Sequence, residues 1–118
     1  MDRKSFSYKK DSLFIRRKRA LLAKKKRKSK KLGLVNSVPA QKDLKALVNY
    51  FHNNHFDLAI KLGFAIIESF PDHSFTWNIL GNALVQAGEF EEALWANQRF
   101  VALSPKDPNS HNNLAATL

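Results

Sequence analysis

His52 and His55 stand three residues apart near the end of a predicted helix, a spacing at which two imidazoles can face one metal ion. Two His do not close a site without a third ligand, and no residue of the right type and spacing accompanies them. His73 and His111 fall at helix junctions and stacking positions, and Glu91 with Glu92 reads as a solvated helix start rather than an acid pair. The chain has no Cys, which removes disulfides, thiolate nucleophiles and zinc-thiolate sites together. It has neither a Gly-rich phosphate-cradling loop nor a nucleophile elbow. The expectation is a binding protein with no catalytic constellation, no metal and no cofactor.

Charge divides the chain. Residues 1–37 hold 15 Lys and Arg against Asp2 and Asp11, a net of +13, whereas residues 38–118 hold 5 against 8 acids, a net of −3. The basic excess therefore describes a tail and says nothing about the surface of the rest. Its densest blocks are Arg16, Arg17, Lys18 and Arg19, then Lys24, Lys25, Lys26, Arg27 and Lys28. Like charges this close resist burial, so the expectation is a disordered tail with a nascent helix over residues 12–23 and a linker over 30–38. Such a tail suits the phosphates of RNA or DNA, or an anionic membrane surface into which Leu13, Phe14, Ile15, Leu21 and Leu22 would dip. A solubilising extension without a partner is the competing expectation. Phe6, Tyr8 and Phe14 are too few to stack on bases in a sequence-specific way. Ala23 through Lys28 resembles a nuclear import signal, which would matter in a eukaryotic source. The apolar runs at 13–15 and 20–23 are too short for a signal peptide or a membrane span, so the default expectation is a cytoplasmic protein.

The elements that must position any binding chemistry follow a repeat. Phe56, Ala59 and Pro71 match Phe90, Ala93 and Pro105 at a spacing of 34 residues. In the second copy, Trp77, Leu80, Gly81 and Leu84 are followed by Gly88, Phe90, Ala93 and, after a helix-length gap, Pro105. Trp77, Leu80 and Leu84 form one stripe of a helix, and Gly81 and Ala93 are small where two helices must approach closely. Phe90, Ala93, Leu94, Asn97, Phe100, Val101 and Leu103 give the next helix its expected packing face. These residues closely follow the W-x2-L-G-x2-Y…A…P pattern, and residues 40–118 resemble the tetratricopeptide repeat (TPR) family.

The first copy, residues 40–73, keeps Leu47, Tyr50, Phe56, Ala59, Ile66 and Pro71 but has Asp43 in the place of Trp77. Asn53 and Asn54 replace Ala87 and Gly88 at its turn, and Asn tolerates the left-handed conformation needed there. A partial third copy, 108–118, follows 74–107. Asp107 caps it, Pro108 opens it, and Asn112, Leu114 and Leu118 repeat Asn78, Leu80 and Leu84, with His111 in the Trp77 position and Ala115 in that of Gly81. The expected fold is all-α: helices at 40–53, 56–69, 74–87 and 90–103 and one from about 108, in a TPR-like solenoid of about two and a third repeats. Leu114 and Leu118 lack a following helix. The expectation is that this is the N-terminal part of a longer array, the alternative being cover by another chain through self-association.

The resemblance implies a function. In such hairpins the first helices line a concave groove, here through Phe75, Asn78, Asn82, Val85, Gln86, Asn112 and Asn113, with Leu44 and Val48 at the matching places of the first repeat. Asn carries donor and acceptor together, so a row of Asn can pair with the backbone of an extended peptide. The groove looks like those of arrays attached to protein-glycosylating transferases. Leu44 and Val48 argue against a basic groove for acidic C-termini. The expected function is protein interaction through this groove. The alternatives are the substrate-recruiting lead segment of a larger glycosyltransferase or sulfotransferase, and a polyanion-associated protein acting through its tail.

Overall fold

The computed structural model describes residues 38–118, and among them the chain forms α-helices and no strand. Helix α1 spans Gln41–His52, α2 Phe56–Ser69, α3 Ser74–Gln86, α4 Phe90–Leu103 and α5 Pro108–Ala115. The expected tail, its nascent helix and nearly all of the linker lie outside the described residues.

Local chemistry explains where the helices stop. Two residues past α1 stands Asn54, whose φ of 64° is the left-handed conformation, and two past α3 stands Gly88, with φ of 81°. At the first turn the His55 N–H reaches the Tyr50 carbonyl at 2.8 Å, and at the second the Glu89 N–H reaches that of Leu84 at 2.9 Å. The two turns thus satisfy their terminal carbonyls in the same way. α2 and α4 also end alike, the Phe70 and Ser104 N–H groups each bonding four residues back at 2.8 Å. Pro108 opens α5 where no helical N–H is required, and the Asp107 carboxylate accepts from the Asn109 N–H at 2.9 Å.

Each helix packs on the next, and α1 also touches α3, as α3 does α5, so the odd-numbered helices lie side by side with α2 and α4 against them. Leu47, Phe64, Ile67, Leu80, Leu84 and Phe100 are the large fully buried apolar side chains. Trp77 is 4% exposed. Its indole meets the Trp95 ring edge-on at 5.0 Å between centroids, and Trp95 stacks on Phe64 at 5.9 Å, so one aromatic column joins α2, α3 and α4.

The packing face of α4 differs from expectation. Phe90 is 56% exposed, and Leu94, Val101 and Leu103 are only half-buried. The stripe turned inward is Glu92, Ala93, Ala96, Asn97 and Phe100. One repeat earlier, Ile60 and Ile67 hold the places of Leu94 and Val101 and are buried, because α3 and α4 follow them. After α4 only α5 follows among the described residues. Pro105 is exposed, and Tyr50, Phe56 and Pro71 are half-buried at the hairpin edges.

Candidate functional site

The face formed by α1, α3 and α5 carries the polar and apolar groups most able to hold a ligand. Asn78 and Asn82 lie one turn apart on α3, and the Asn82 amide donates to Asn78 Oδ1 at 3.1 Å. The Asn113 amide crosses from α5 to the same oxygen at 2.6 Å. Asn78 keeps its amide hydrogens, and Asn82 and Asn113 keep their oxygens, so the cluster retains donors and acceptors together.

A buried amide holds α5 in place for this. Asn97 is fully buried on α4, and its Nδ2 donates to the Asn113 carbonyl at 3.0 Å. Its Oδ1 has no hydrogen-bond partner and lies against Gly81, where a Cβ would collide with it. The small residue at position 81 therefore makes room on α3 for an amide that ties α4 to α5. Ser110, also fully buried, donates to the Ser104 and Asp107 carbonyls at 2.8 Å, sharing one proton between them. At the matching place in α3 stands the equally buried Thr76, its hydroxyl 2.8 Å from His73 Nδ1. Burial holds the His73 imidazole below its ordinary pKa, so the neutral ring is favoured.

Beside the amides, Phe75 lines an open concavity of about 400 Å³ with Gln41, Leu44, Lys45, Val48 and Asn49 of α1. Phe75 is 43% exposed, and its ring meets that of His73 edge-on at 6.4 Å. Of the groove residues expected from sequence, Asn78, Asn82 and Asn113 come together, and Phe75 joins the α1 concavity. Val85, half-buried, and Gln86 and Asn112, both exposed, have no part in either cluster. Spacing alone gives Thr76 and Ser110 no role and places Asn97 only on the packing face of its helix.

His52 and His55 are both exposed, and among the described residues no group of three His, Asp or Glu is arranged to hold a metal ion. No described helix is long and apolar enough to cross a membrane. The basic residues Arg16 to Arg19 and Lys24 to Lys28 lie outside the described residues. No protein-family model matches the chain, and no curated protein or solved structure matches it either.

Proposed function

We propose that residues 38–118 form a TPR-like array, with repeats at 40–73 and 74–107 and a partial one at 108–118, and that its α1–α3–α5 face binds an extended peptide of another protein. Support for the array comes from bonds that recur at the sequence period. The turns at Asn54 and Gly88 close alike, and Trp77 and His111 make the same bond to Pro71 and Pro105. The observation that carries the function is the amide cluster of Asn78, Asn82 and Asn113, which sits half-buried with unused donors and acceptors. Such groups pair with a peptide backbone whatever its side chains. The test is selection of displayed random peptides on the full chain, followed by affinity measurement with Asn82→Ala. Selected peptides should lose affinity in that variant, and a selection that yields no binders would remove the proposal.

A second reading rests on the tail. A net of +13 within residues 1–37 favours polyanion binding by that segment. Its test is whether affinity for heparin or RNA falls steeply between low and physiological salt.

A further inference from the structure

We infer that the concavity between α1 and Phe75 is the anchor subsite of this face, and that it takes one aliphatic or aromatic side chain flanked by an acidic residue. The inference rests on the proposed peptide-binding role of the face and names the chemistry of its ligand.

Three features of the concavity point to this occupant. Leu44, Val48 and Phe75 give it apolar walls, and its volume of about 400 Å³ lies within the ordinary range of ligand pockets. The Phe75 ring meets that of His73 edge-on, and the His73 ring is bonded to the buried Thr76 hydroxyl, so one wall of the concavity is backed by ordered side chains. Gln41 and Asn49 mark its two ends. They are eight residues apart on α1, or about 12 Å along the helix, which an extended chain covers in about four residues. A short extended segment thus reaches from one amide to the other with an apolar side chain between them.

Charge settles the sign of the flanking residue. Lys45 is the one charged residue lining the concavity, and among the described residues it has no ion-pair partner. An acidic side chain beside the anchor would meet it across an apolar surface that strengthens the attraction. The occupant is a segment of another protein whose acidic residue complements Lys45.

Selection of displayed random peptides on the full chain, repeated on Lys45→Glu and Phe75→Ala, tests this. Both residues are exposed, and thermal melts by circular dichroism check that each variant is folded. Wild-type binders should carry Leu, Ile, Val, Phe or Met within two residues of Asp or Glu, and should lose about tenfold or more in affinity on Phe75→Ala. Lys45→Glu should invert the flanking preference to Lys or Arg. Binders that depend on Asn82 yet are indifferent to both variants would overturn the subsite while leaving the wider face as a binding surface. A selection without binders would overturn both.

Discussion

Trp77 and His111, 34 residues apart, make the same bond: the indole Nε1 donates to the Pro71 carbonyl at 2.7 Å, and the imidazole Nε2 donates to the Pro105 carbonyl at 2.6 Å. The carbonyl accepts in both, so Nε2 of His111 must carry a proton. A ring with a donor at its far edge thus fastens the start of α3, and of α5, to the loop before it. The two rings differ in what else they do. Trp77 is buried in the aromatic column, whereas His111 is exposed.

Replacing each ring should separate these roles. Trp77→Ala removes the bond and a buried aromatic body, an expected loss of about 3 to 5 kcal/mol. His111→Ala removes mainly the bond and should cost about 1 kcal/mol. Urea unfolding of both variants measures this. Equal losses would mean that the bond, not burial, dominates at Trp77.

Gly81 and Asn97 should behave as one unit. Gly81→Ala places a methyl where Asn97 Oδ1 lies and should destabilise by about 1 to 3 kcal/mol. Asn97→Ala leaves the Asn113 carbonyl without its amide and should cost a similar amount, about 1 to 3 kcal/mol. In the double variant the collision is gone, so its loss should fall short of the sum by at least about 0.5 kcal/mol. A double-mutant cycle in urea gives the coupling, and additive losses would contradict the geometry.

His73 should make stability depend on pH. Its folded-state pKa is lowered by burial, so below the ordinary His value of about 6.5 the unfolded chain binds a proton that the folded chain refuses. The contribution is complete above about pH 6.5 and declines as pH falls from there towards the folded-state pKa. His73→Asn supplies a preferred cap for α3 and removes this titration. Between about pH 7.5 and pH 5.5 the wild type should therefore lose more stability than the variant. Parallel stability curves would show that His73 carries none of the dependence.

Residues 1–37 should confer salt-sensitive affinity for heparin or RNA. Affinity should fall steeply, by an order of magnitude or more, between low and physiological salt, and should vanish when the segment is deleted. Binding that ignores salt, or persists in residues 38–118, would remove the electrostatic account.

The helices were legible because punctuation in the sequence is strong. Asn54, Gly88, Pro105 and Pro108 mark turns and starts, and the apolar spacing between them is helical. The face of α4 was less legible. Phe90 sits in the first turn of its helix as Phe56 does, but Phe56 meets Phe51 edge-on whereas Val85 stands in the matching place before Phe90, a pairing that periodicity does not contain. Thr76, Ser110 and Asn97 are fully buried although their types usually face water. Their burial depends on carbonyls and rings brought near by the fold. The three Asn were recognisable as donors and acceptors, but that Asn113 meets Asn78 across helices depends on how α5 is held by Asn97.

The neighbour-by-neighbour packing of these helices also sets how residues 38–118 would respond to force. In a repeat stack each unit is held chiefly by the one beside it, so stability is close to a sum of local terms. Among the described residues α5 packs on α4 and α3, tied to them by the Asn97 and Asn113 amides and to the segment before it by Ser110 and His111. Pulling on residues 38–118 should therefore lengthen them in small steps, helix by helix, rather than in one rupture.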